Sequence, residues 1–126
     1  MDIEIILRNS SESPDWIGSF TENLQESDQW NKEEFWKLHY ALVQLAICLR
    51  DTKVIEKSLA GKICEIQQTV QSLISSHFDS NTEWEIKNIS DDELYGFLER
   101  FDMAIQGVFS GEVLPENSFD LVNPLI

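Results

Sequence analysis

Bases are scarce in this chain: nine Lys and Arg stand against 23 Asp and Glu in 126 residues, for a formal net charge of −14. Nucleic acid and anionic membranes require a basic footprint, so this deficit speaks against both as direct partners. Long apolar runs are lacking too, since no stretch approaches the roughly 18 consecutive apolar residues of a membrane-spanning helix. The first residues, Met1-Asp2-Ile3-Glu4-Ile5-Ile6-Leu7-Arg8, carry acids where a secretory signal has its basic region. A soluble protein of the cytoplasm is the expectation. Cysteine is limited to Cys48 and Cys64. If their helices turn back near Asp51, they lie ~4.5 Å and ~20 Å from the turn, too far apart to bond. They are expected to be buried small hydrophobes in a reducing compartment.

The residues of familiar chemistry are also sparse. There are two histidines, His39 and His77, and five scattered glycines, with no Gly-rich phosphate loop and no Gly-x-Ser-x-Gly elbow. His77 and Asp79 offer two metal-ligand types without a third at helical spacing. Neither cysteine sits in an electropositive context suited to a nucleophile. The expectation is therefore a protein that is not an enzyme, with no catalytic residue, metal or cofactor.

What is present is a core. A hydrophobic fraction of 42% with 10% aromatic residues can offset the entropy of ordering the backbone, which a disordered acidic tail could not do. The length fits one domain, and no linker, internal repeat or low-complexity stretch divides residues 1–126.

Periodicity supplies the elements. Ile3, Ile5 and Leu7 alternate with Glu4, Ile6 and Arg8, as in a short strand over 2–8. Ser13, Pro14 and Asp15 predict a helix start and a helix over 14–25, with Trp16, Ile17, Phe20 and Leu24 at helical spacing. Asn31 and Glu34 form a capping box, with Trp30 and Phe35 as its hydrophobic staple, opening a central helix over 32–50. From Asp51 or Thr52 a third helix carries Ile55, Leu59, Ile63, Ile66, Val70, Leu73 and His77 on one stripe and ends near Phe78. Gly61 lies off that stripe and marks close packing or a bend. Trp84 and Ile86 alternate with Glu83, Glu85 and Lys87, a second strand pattern over 82–89. Ser90-Asp91-Asp92-Glu93 is a capping box whose helix buries Leu94, Phe97, Leu98, Phe101, Ile105, Val108 and Phe109 and stops at Gly111. The apolar tail from Glu112 to Ile126 is expected to lie over the bundle. The reading is a mainly α, single-domain bundle of about four helices, to which residues 2–8 and 82–89 could add a two-stranded ribbon.

The acids are unevenly placed. Residues 1–31 hold seven acids and one base, residues 32–65 five acids and six bases, and residues 66–126 eleven acids and two bases. Asp91, Asp92 and Glu93 are explained by capping and the helix dipole. On the last helix Asp92, Tyr95, Glu99, Asp102 and Gln106 recur at 3, 4, 3 and 4, roughly opposite the apolar stripe. An acidic face carrying one aromatic is either a solvated surface or a recognition surface for a basic partner. Asp79, Glu83, Trp84 and Glu85 would extend the latter.

A small, acidic helical chain with that face, with the Asp79 to Glu85 cluster and with Trp16, Trp30, Trp36 and Trp84 as exposed or part-exposed aromatics resembles the immunity proteins of bacterial toxin systems, including those of contact-dependent growth inhibition. The resemblance implies binding to a cognate, basic nuclease toxin, whose active site is blocked or occluded while carboxylates stand in for phosphates. The alternative is an acidic adaptor or regulatory subunit, including a phosphate-mimicking inhibitor of a nucleic-acid-binding protein. On either reading the partner-binding residues are Asp79, Glu83, Trp84, Glu85, Asp92, Tyr95, Glu99 and Asp102.

Overall fold

The computed structural model describes residues 3–124, and its elements follow one another as α1 (Ile3–Leu7), α2 (Phe20–Ser27), α3 (Lys32–Leu49), α4 (Lys57–Phe78) and α5 (Asp91–Ser110). Helix α3 starts where local chemistry requires. The Asn31 side chain accepts the Glu34 N–H, and the staple rings of Trp30 and Phe35 lie 5.5 Å apart. Likewise the Ser90 hydroxyl accepts the Glu93 N–H at the head of α5. At the other end Gly111 terminates α5 at φ 80°, a left-handed cap that glycine adopts without steric cost.

Helices α3, α4 and α5 run up, down and up. Lys32 pairs with Glu93 at the start of α3 and α5, and Trp36 packs on Phe97 one turn along. Further on, a β-carbon on Gly107 would lie 3.7 Å from Ala46, so the two helices are parallel over their length. In α4 the order is reversed: Gln71 bonds Asp102 and His77 reaches back to Asp91. Helix α1 packs on α3 and α4, and α2 on α4 and α3. The core centres on an aromatic cluster in which Phe35 touches Phe20, Trp30, Trp36 and Phe97. Leu59, Ile63, Ile66 and Val70 of α4 are buried; beyond them Ile74 is buried while Leu73 is half-buried. A straight helix at 3.6 residues per turn drifts off a seven-residue seam in this way.

Several expectations are corrected. Among the described residues there is no strand. Residues 3–7 are helical, with Ile6 fully buried and the Arg8 N–H donating to Glu4 O; Asp2, which the expected strand over 2–8 included, lies outside the described residues. The Ile-rich run satisfies both periods, and packing against α3 and α4 selected the helical one. Residues 82–89 form an irregular brace that turns at Lys87 and Asn88. Its polar groups bond to the α2–α3 corner and to α4 instead of a neighbouring strand: Lys87 N–H donates to Asp28 O, and Asn88 both accepts the Trp30 N–H and donates to Trp30 O.

The helix expected over 14–25 begins at Phe20. Gly18 adopts φ 88°, and Ser19 caps the helix by accepting the Glu22 N–H while Glu22 accepts the Gly18 N–H. The start of α4 slips from Asp51 or Thr52 to Lys57, because the Thr52 hydroxyl closes a turn onto Leu49 O and Val54 O. Gly61 marks no close packing, since a β-carbon there would meet nothing within 4 Å. Cys48 and Cys64 are free and exposed; Cys64 follows Ile63 and so points off the buried stripe. Trp30 and Trp36 are buried in the core, and Phe109, expected there, is 49% exposed.

The tail doubles back from Gly111 along α5. This close approach needs Gly107, where a β-carbon would meet Glu112 O at 2.8 Å. Glu116–Ser118 forms a 3-10 turn, Leu121 packs beside Gly96, and Asn123 is buried. The tail thus covers the α3–α5 seam as expected; its last two residues, Leu125 and Ile126, lie outside the described residues.

Candidate functional site

The end of the bundle where α4 finishes and α5 begins is assembled by two neighbouring side chains. His77 accepts the Ile86 N–H at Nδ1 over 2.9 Å, which leaves Nε2 to donate to Asp91 Oδ1 at 2.8 Å. One imidazole therefore ties the 82–89 brace and the first turn of α5 to the end of α4. Phe78 next to it stacks on Tyr95, with centroids 4.8 Å apart and the planes within 16°. The two acidic segments picked out by the sequence are brought together by this pair.

Each expected site residue has a definite place. Asp79 caps α4 and its carboxylate accepts the Asn81 N–H. Glu83 and Glu85 are exposed, as are Asp92 and Glu99 on α5. Tyr95 is 58% exposed although its ring rests on Phe78. Trp84 is half-buried and its indole N–H donates to Asp28 Oδ1 at 2.7 Å, so its polar edge is already used inside the fold. Asp102 is half-buried and accepts from Gln71 Nε2. Trp84 and Asp102 therefore brace the surface more than they present it.

Charge on this end is compensated only in part, by Lys32 on Glu93 and Lys87 on Asp28. Among the described residues, Asp79, Glu83, Glu85, Asp92, Glu99 and Asp102 have no ion-pair partner, while Arg8, Lys32, Lys37, Lys62, Lys87 and Arg100 pair with other acids. The bases without such a partner, Arg50, Lys53 and Lys57, follow the end of α3, where Arg50 lies against Gly111 at the far end of α5. A 20-residue helix such as α5 separates the two ends by about 30 Å. Between α4 and α5 an open groove of about 610 Å³ runs past Gln67, Gln71, Asp102 and Gln106 to Phe109. The α5 face that carries Asp92, Tyr95 and Glu99 continues along this groove, with an exposed aromatic at each end.

One cluster was not foreseen in the sequence. Arg100 is only 1% exposed. Its guanidinium makes a two-pronged pair with the Glu116 carboxylate and lies 5.3 Å from the Trp36 ring and 4.2 Å from the Phe119 ring. An arginine is almost never buried without a partner, but that partner sits 16 residues away in an irregular tail. The available signal was spacing: Arg100 falls three residues after Phe97 and four before Ala104, on the buried stripe. The pair holds the Glu116 carboxyl below the usual carboxylate range, through the hydrogen bond from Arg100 first.

His39 lies beside this pair, 3% exposed. Burial, and then the Arg100 charge, lower its pKa to about 4, with Glu116 opposing. The unfolded chain binds this proton near pH 6.5 and the folded chain only near pH 4, so stability is complete above pH 6.5 and declines as the pH falls through this window. The expected loss from His39 is about 3 kcal/mol by pH 4. Urea midpoints at pH 7.5, 5.5 and 4.5 should show it, and His39→Gln should flatten the decline above pH 4.5; an equally steep profile in the variant would assign the acid sensitivity elsewhere.

No protein-family model, curated protein or solved structure matches this chain.

Proposed function

We propose that the protein is an immunity protein that binds and neutralises a cognate, basic nuclease toxin through the acidic end of the bundle. The observation that carries this reading is Tyr95, 58% exposed yet held on Phe78, at the end of the bundle that also exposes Glu83, Glu85, Asp92 and Glu99, none of which forms an ion pair among the described residues. A supported aromatic gives a partner a contact of low entropic cost, and tyrosine is enriched among residues that dominate binding energy. Uncompensated carboxylates around it accelerate encounter with a basic surface and reject acidic ones. The far end, where Arg50, Lys53 and Lys57 stand among the exposed acids Asp51, Glu56 and Glu112, is close to neutral, so a basic partner is drawn to the acidic end. Seated in a nuclease cleft, the carboxylates occupy the positions of substrate phosphates, and the domain excludes the nucleic acid.

The test is titration with a basic nuclease toxin encoded beside this gene. Binding should be tight and weaken with salt. Glu85→Lys with Glu99→Lys should reduce affinity by roughly tenfold or more, chiefly through association rate, while thermal stability stays nearly unchanged because both side chains are exposed. These two are preferred to Asp92 and Asp102, which also serve the helix dipole and the Gln71 bond. No complex at low ionic strength would overturn the reading, and capture of a nucleic-acid-binding housekeeping protein would move it to an acidic adaptor.

A further inference from the structure

We propose that Arg100 is the anion subsite of a binding site for a small organic acid, and that Glu116 occupies this subsite from within the chain until the acid displaces it. The site is separate from the acidic end of the bundle and lies along the seam of α3, α5 and the tail.

Three observations converge. The first is the chemistry of the pocket floor. The Arg100 fork, buried between Trp36 and Phe119, is shaped for a planar carboxylate and holds one. The second is unfilled bonding capacity. Among the described residues, Arg100 Nε and His39 Nδ1 are both buried without a hydrogen-bond partner, and both residues line one cavity of about 30 Å³. Water could fit there, but water alone gives no reason for the third feature. Next to the cavity an open groove of about 220 Å³ runs between α3 and the tail, bordered by Tyr40, Val43, Ile47, Val113 and Leu114. Glu116 and His39 line both spaces. When the Glu116 side chain swings out, the spaces merge into an apolar channel ending on a guanidinium. That channel is below the roughly 300 to 1,000 Å³ of drug-sized sites and suits a carboxylate with a small apolar body.

The segment that carries Glu116 is a single 3-10 turn in an irregular tail. Its backbone hydrogen bonds are local, Ser118 N–H to Pro115 O and Phe119 N–H to Glu116 O, and the Glu116 side chain is 37% exposed whereas Arg100 is 1% exposed. The carboxylate can therefore reach water while the guanidinium cannot. A tethered competitor acts at millimolar effective concentration or above, so an external acid binds the native chain weakly and binds one lacking the internal carboxylate more tightly.

Benzoate and inorganic phosphate are the probes, with binding read from NMR shifts of the Trp36 indole and His39 ring and from thermal shift. Glu116→Gln should bind benzoate saturably at least about tenfold more tightly than the native protein, and phosphate much less, having no apolar body for the groove. Arg100→Met should abolish the response. If Glu116→Gln folds poorly, the native protein carries the test: benzoate on the order of tens of millimolar should raise hydrogen exchange over residues 112–119. Absence of saturable binding in both forms, equal binding of the two probes, or unaltered benzoate binding by Arg100→Met would overturn the proposal.

Discussion

Glu116→Ala is expected to lower the free energy of unfolding by about 3 kcal/mol, more than almost any other single change outside the core. The residue lies in a tail and is part-exposed, and an exposed ion pair would contribute little. The asymmetry of the pair is what makes it costly. Arg100 is buried between Trp36 and Phe119 and cannot turn to water, so removal of its partner leaves an uncompensated charge in the interior. Arg100→Met should cost less, because methionine fills the same channel between the rings and Glu116 is free to be solvated. Urea denaturation of the two single variants and the double variant checks this: Glu116→Ala should be the least stable, and the double variant should resemble Arg100→Met. A loss below about 0.5 kcal/mol for Glu116→Ala would show that the guanidinium reaches solvent without its partner.

Phe35→Ala is expected to destabilise by roughly 3 to 5 kcal/mol, and to abolish cooperative folding if the total stability lies near the lower end of the usual range. Phe35 is fully buried, and its ring contacts those of Phe20, Trp30, Trp36 and Phe97. It thus joins the heads of α2, α3 and α5, and its removal leaves a cavity that three elements must collapse to close. Tyr95→Ala is the matching surface control. It loses the stack on Phe78 but no core volume, and should shift stability by less than about 1.5 kcal/mol. Comparable losses from the two would mean that the Tyr95 face is part of the core, contrary to its exposure.

Two kinds of feature were readable from neighbouring residues. Asn31 with Glu34 and Ser90 with Glu93 set the starts of α3 and α5, because a cap satisfies backbone donors within three residues of itself. The spacing of Asp92, Tyr95 and Glu99 opposite Phe97 and Phe101 likewise gave the exposed face of α5. Where two patterns competed, sequence alone chose wrongly. Ile3-Glu4-Ile5-Ile6-Leu7 fits a strand and a helix equally, and the alternation around Trp84 fits a ribbon that finds no partner strand among the described residues. The pattern around Trp84 places it with the acidic face, but its indole N–H is spent on Asp28, 56 residues away. Trp30 and Trp36 read as part-exposed aromatics, yet they fill the space between α3 and α5.

The sequence by itself determined a helical, acidic protein with its carboxylates concentrated in the N-terminal and C-terminal thirds, since composition, capping and helical period act over a few residues. Tertiary structure decided which polar groups meet. His77 joining Ile86 to Asp91 depends on α5 returning antiparallel to α4, and Arg100 enclosed by Trp36, Phe119 and Glu116 depends on the parallel register of α3 and α5 and on the tail's return over Gly107. Such contacts are fixed by the packing of distant segments, and no local pattern encodes that packing.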